Sequence, residues 1–504
     1  MSGLGIKVRC LASTRVPTCG KLQQEKGQSG EDEDVRTRGG LDGIGKEEVD
    51  VSRPKEVFKQ PASAEPEEHI EEDSVSNTSS SGTDTEESSD STNSERSHPG
   101  VRNISCIQES QLSPDGSCIF TSSWDRTFSV YPLDSSILSE TSTRPLAPYA
   151  SFRSAGPIWA FAVNPLFNVQ DPTSTTVLVS RRDSYITLHN ALWDTSSTSS
   201  PSSSTSSVNI YTPLASYKLV NSLTEAVTAP LSLTYSNDGL HFFAGIQYSI
   251  AIFDLLDTDS PIHSIPTIPA KRNKLKGGGR GFKGHISALS LSPPSTTSRD
   301  GLLAAGSWTR YIGIYDPGSG SEVTSFPLPG TLNGKKIRNE KLKDVMGDGV
   351  SSLKWSPCGK YLYVAERASD SLLIYDVRKF SLSLGYCAGR KALTRQKLGF
   401  DIWNAGASPY DIEGLSHEVW AGGTDGKIRV WRDPYVKEGA VEADEVVDVG
   451  GGEGPVTGTM VHASGSLAVA ARGAIELGDG KGQRRGGVGS RVKERGSLNI
   501  LGLG

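Results

Sequence analysis

One pattern returns along this chain and limits what it can fold into. In "QLSPDGSCIFTSSWDRTFSVYPL" (111–133), a strand runs into the turn Ser113-Pro114-Asp115-Gly116. A second strand follows, then the tight turn Trp124-Asp125-Arg126-Thr127, then a third strand. Proline presets φ at a turn position, and Asp-Gly adds a self-bonding side chain and a permissive backbone. β-Branched and aromatic residues fill the runs between the turns, as strands require. Imperfect copies begin at 162, 233, 289 and 353, a sixth ends in "EVWAGGTDGKIRVWRD" (418–433), and a seventh, 455–473, keeps two strands and lacks a clear third. A supersecondary unit repeated at long period cannot bury its apolar faces alone and must stack on its copies.

The rest of the chain differs in composition. Residues 1–100 hold 12 Lys and Arg against 21 Asp and Glu, whereas the remainder holds 40 against 37. "EPEEHIEEDSVSNTSSSGTDTEESSDSTNSE" offers too little apolar surface to offset its ordering entropy, so 1–100 is expected to be a disordered acidic region. Many of its Ser and Thr precede acids, which suits phosphorylation. The expected layout is 1–100 disordered, 101–475 repeats, and 476–504 a disordered Gly-rich basic tail. The six cysteines show no Cys-x-x-Cys and no His-ligand spacing, so neither a disulfide framework nor a metal site is expected. No signal-peptide apolar region and no membrane-length apolar run occur, so a soluble intracellular protein is expected.

The units resemble WD40 repeats. Phe253-Asp254, Tyr315-Asp316 and Tyr375-Asp376 stand where Trp-Asp is usual, Trp431-Arg432 keeps the Trp, and Gly284-His285 is the only Gly-His. This resemblance implies an all-β fold, a seven-bladed β-propeller whose radial closure leaves only short protected edges. His285, Asp254, Asp316, Asp376 and Trp431 are accordingly read as structural repeat residues, with His285 bonded inside its blade. Residues 101–107 are the expected outer strand of the last blade.

No catalytic motif is present: there is no His-Glu-x-x-His, no Gly-x-Ser-x-Gly and no EF-hand loop. "GGGRGFKG" (277–284) lacks Gly-Lys-Ser/Thr and leads into a strand, so no helix N-terminus faces a phosphate there. Neither an enzyme nor a cofactor is expected. Binding is better supported. In a WD40 blade the turn between the second and third strands opens on the same rim as the linker between blades. Those turns carry Trp124 and Arg126, Arg181 and Arg182, Trp308 and Arg310, and Arg367. The linker "KRNKLKGGGRGFKG" adds Lys271, Arg272, Lys274, Lys276, Arg280 and Lys283, and 335–343 and 390–397 are basic as well. Cations interleaved with exposed aromatics suit single-stranded RNA, whose phosphates pair with Arg and Lys while its bases stack on flat rings. Arg485-Gly486-Gly487 in the basic tail points the same way. A protein-only scaffold holding a peptide or phosphopeptide on the same face stays open beside it.

"SPDGSCIFTSS" with "FSVYPL", "RRDSYITLHNAL", and "LVNSLTEAVTAPLSLTYSNDGLHFFAGIQYSIAIFDL" resemble the telomerase Cajal body protein family over roughly 103–473. That resemblance implies a nuclear propeller that binds small nuclear or Cajal body RNA, or the ribonucleoprotein carrying it, and assists the particle's localisation, assembly or splicing role. Neither DNA nor a membrane is an expected partner. The second unit departs from the pattern, ending in His189-Asn190 instead of Trp-Asp.

Overall fold

The computed structural model describes residues 6–15, 104–139, 142–195, 207–221, 224–268, 281–295, 298–332, 335–337, 339–404, 415–450, 454–477 and 492–504. Seven sheets succeed one another as blades, over 107–153, 158–217, 232–266, 286–327, 350–387, 400–448 and 456–503, each built on four antiparallel strands and three of them with a short parallel edge strand added. Seven buried clusters join them, one between each pair of neighbours, including one between the last blade and the first. Between blades 2 and 3, for example, Tyr217 packs edge-on against Phe242, which stacks on Phe253 at 4.9 Å. The ring is therefore held by apolar burial between blades, and each blade needs both neighbours to exclude water from its two faces.

The hairpins follow the turn chemistry. Between second and third strands, the residue after the turn tip has positive φ in six blades: Arg126 71°, Asp183 55°, Tyr248 64°, Arg310 63°, Ala368 51° and Gly426 73°. A type I turn followed by a left-handed residue makes a three-residue hairpin loop and sets Trp124 and Trp308 at their tips. At the third-to-fourth corners, Asp254 accepts from the Leu256 amide at 2.9 Å, Asp316 from Gly318 at 3.0 Å, and Asp376 from Arg378 at 2.8 Å. Those aspartates close turns, as does buried Trp431, whose Nε1 donates to the Val441 carbonyl at 3.0 Å.

Ring closure differs from the expectation. The outer strand of blade 7 is Val8–Ser13, antiparallel to Val492–Leu503, with Val8 opposite Leu503 and Ser13 opposite Asn499. Leu11 and Ala12 are buried there, and Ser13 Oγ donates to Asn499 Oδ1 at 2.6 Å. Two assignments are corrected: 8–13 belongs to the ring and not to a disordered region, and 492–503 is the missing third strand and not a tail. Ile104 meets blade 7 through an isolated bridge to Gly496 and by packing on the seam cluster, without being a strand of the blade. The physical reason is burial. "VRCLAS" and "GSLNILGL" each cover an apolar face that would otherwise be open, but each is too short and too far from its partner to read as a strand pair. The Arg485-Gly486-Gly487 element lies outside the described residues, between those two strands in the chain.

Candidate functional site

Five inner strands share one irregularity at their start. The register slips between Ile107 and Glu109, Ile158 and Ala160, Ile286 and Ala288, Val350 and Ser352, and Val456 and Gly458. Each is a bulge that adds one residue and re-aims its side chain. In three blades that residue is Ser287, Ser351 or Thr457, buried and bonded to backbone carbonyls. In blades 1 and 2 it is Gln108 and Trp159, both of which line the mouth of the central channel.

The mouth is a cavity of about 840 Å³ on the side where the second-to-third turns open. Trp124, Trp159 and Trp308, from blades 1, 2 and 4, all line it and stay 49%, 39% and 45% exposed. The Arg367 guanidinium carbon lies 5.9 Å from the Trp308 ring centroid, a cation–π distance, and burial lowers its pKa. His285 also faces the cavity, its ring 5.2 Å from Trp308. Within blade 4 the His285 carbonyl accepts from the Trp308 amide at 3.2 Å, and Thr309 Oγ1 donates to the Lys283 carbonyl at the adjoining turn.

The linker 388–399 crosses toward the opposite blades. Lys397 pairs with Glu109 of blade 1 at 2.9 Å, and Gln396 Nε2 donates to the Gly473 carbonyl of blade 7 at 2.9 Å. Arg390, at the start of that basic stretch, is fully buried, donates to the Gly422, Leu398 and Gly399 carbonyls, and is pulled by burial to about 10. It holds the linker in place and presents no charge to solvent. Ile158, Leu231 and Ile246 add apolar surface to the cavity.

The expected cationic set divides. Trp124, Trp308 and Arg367 come together in the mouth. Arg126 is exposed on the rim, its Nη1 donating to the Ala155 carbonyl at 2.6 Å, and exposed Arg182 pairs with Asp183 at 3.2 Å. Arg181 is half-buried, donates to Thr187 Oγ1 at 3.3 Å, and has its pKa lowered by burial. Lys283 is half-buried. Arg310 is corrected outright: it is 3% exposed and holds Glu366 through two bonds of 2.6 and 2.8 Å. Two further donors reach Thr331 Oγ1 and the Pro329 carbonyl, so four of its N–H groups are committed inside the fold and the guanidinium is closed to a ligand by burial. Lys271, Arg272, Lys274, Lys276 and Arg280 lie outside the described residues. Sequence reasoning missed Trp159 and Gln108, because strict alternation does not anticipate a bulge; a large residue directly after the first apolar position of an inner strand was the available signal.

Among the described residues no helix is long and apolar enough to cross a membrane, and no group of three or more His, Cys, Asp or Glu is placed to hold a metal. The WD domain, G-beta repeat family matches residues 91–131, which include the first hairpin of blade 1. Guanine nucleotide-binding protein negative regulator 1 of Schizosaccharomyces pombe is 25% identical over 344 residues, 66% of this chain and 72% of its own. Telomerase Cajal body protein 1 of Bos taurus is 26% identical over 323 residues, 63% of this chain and 48% of its own, and that of Homo sapiens 25% over 321 residues with the same shares. The chain thus spans about half the length of these mammalian relatives. The chain thus carries one matched WD repeat, folds into a seven-bladed β-propeller, and is similar over 63% of its length to Telomerase Cajal body protein 1.

Proposed function

We propose that this propeller is a non-enzymatic nuclear adaptor whose mouth binds single-stranded RNA of a small nuclear or Cajal body-type particle. The observation that carries the reading is the convergence of Trp124, Trp159 and Trp308 on one cavity beside Arg367. Indole faces left half in water next to a fixed guanidinium offer unstacked bases a surface, while rim arginines meet phosphates. The Cajal body relatives support a nuclear setting and a ribonucleoprotein partner.

The test is fluorescence anisotropy of the full chain with a labelled 20-nucleotide single-stranded RNA. Trp124→Ala, Trp159→Ala and Trp308→Ala together are expected to weaken binding by about 1–3 kcal/mol for each base that loses its stacking partner. Unchanged affinity overturns the site. The apolar contribution of Ile158, Leu231 and Ile246 favours a second reading, a peptide in the same cavity. Salt separates the two: phosphate contacts release counterions and give a steep dependence, whereas an apolar peptide gives a shallow one.

A further inference from the structure

The opposite face carries a surface of different character. In blade 2, Leu166 lies in the turn between first and second strands, and its side chain packs against Gly239 in the corresponding turn of blade 3. Leu240 follows Gly239, and its carbonyl accepts from the Leu255 amide at 3.0 Å, which brings Leu256 to the same corner. These three leucines are 58%, 60% and 93% exposed. Single exposed leucines are ordinary on a protein surface, but three on neighbouring turns gather exposed apolar surface at one place on this face. Around it stand the exposed carboxylates of Asp238, Asp257 and Asp259, with Lys218 pairing to Asp259 at 3.5 Å. The first-to-second turns of blades 1 and 2 add exposed Asp115 and Asp171, and Asp115 Oδ2 accepts from the Val169 amide at 2.9 Å. The apolar patch therefore sits within a negative surface, whereas the tryptophan mouth sits among arginines.

We infer that Leu166, Leu240 and Leu256 with the surrounding aspartates form a second docking surface, for a short cationic segment of a protein partner that presents leucine-like side chains between its lysines or arginines. Charge complementarity selects this occupant: lysine and arginine meet the aspartate rim, and the apolar side chains cover the leucines. An anionic ligand is repelled there, so the two faces take partners of opposite charge. The inference does not depend on what the mouth holds.

The test uses the full chain and two fluorescein-labelled dodecapeptides of equal charge, one alternating lysine with leucine in amphipathic order, the other replacing every leucine by serine. Anisotropy is expected to show binding of the lysine–leucine peptide at least tenfold tighter than the lysine–serine peptide. Leu166→Ser, Leu240→Ser and Leu256→Ser together remove that difference, as does Asp257→Lys with Asp259→Lys, while Trp124→Ala leaves it intact. All these side chains are exposed, so folding is preserved, and circular dichroism with a melting curve confirms it. Equal affinity for the two peptides, or a preference that survives the three serines, overturns the inference. So does a concentration-dependent dimer in sedimentation that the Leu256→Ser variant abolishes, since the patch is then an interface between copies.

Discussion

Ser123-Trp124-Asp125-Arg126 and Ser307-Trp308-Thr309-Arg310 read alike and fold alike, yet their arginines do unlike work. Both turns put tryptophan at the tip and arginine in the left-handed region, at φ 71° and 63°. In blade 1 the arginine leaves toward solvent and meets one carbonyl, that of Ala155. In blade 4 it turns inward, because Glu366 ends the second strand of blade 5 and faces it, with Thr331 and Pro329 taking two more of its donors. The hairpin sets where the side chain starts; the next blade decides where it goes. A motif on a propeller rim is thus read correctly only with its neighbour.

The largest way to break this comparison is to remove the neighbour. Glu366→Ala leaves Arg310 buried without its counter-charge and is expected to cost about 3–5 kcal/mol in urea unfolding, the range for orphaning a buried ion. Arg310→Ala is expected to cost a comparable amount, because Glu366 then keeps only local donors such as the Gly347 amide.

The histidines repeat the contrast between committed and available groups. His189 is fully buried, bonded to the Ile210 carbonyl and Thr187 Oγ1, and pushed down by burial to about 4, with Arg181 adding a smaller push. The unfolded chain takes up that proton near pH 6.5 and the folded one does not until about 4. Stability from this group is therefore full above pH 6.5 and lost as pH falls toward 4, by about 3 kcal/mol in total. Chemical denaturation between pH 7.5 and 4.5 checks this, and His189→Gln flattens that part of the profile. Smallest of all, Arg126→Ala is expected to change stability by less than about 0.5 kcal/mol, as exposed surface substitutions do. It should still weaken RNA binding and lower its salt slope by about one unit. Equal stability losses at Arg126 and Arg310 would erase the distinction between the two turns.

Much of the fold was legible because each blade spells its own turns. Pro114-Asp115-Gly116, Asp238-Gly239 and the aspartates ending the third strands are local signals with local causes. What was not legible depended on distant partners. Nothing within "VRCLAS" announces that its complement lies almost at the other end of the chain. Arg310 looks like Arg126 until Glu366 is brought beside it. Trp159 and Gln108 reach the mouth through a slipped register that no periodicity encodes.

The way the ring closes also sets an order in time. Ser13 bonds to Asn499, 486 positions later. Val8–Ser13 finds its partner only when Val492–Leu503, the last-made strand of the blade, leaves the ribosome. Six blades can assemble as they emerge, but the seam between blade 7 and blade 1 stays open until Val492–Leu503 is made. That delay carries the loop-closure cost of a contact across 486 positions. A chain stopped short of Val492 lacks that strand and leaves the edge of Leu467–Leu477 and the apolar face of Leu11 open to water, so a cell's quality control meets an unfinished ring, with an adhesive strand edge, in place of a shorter protein.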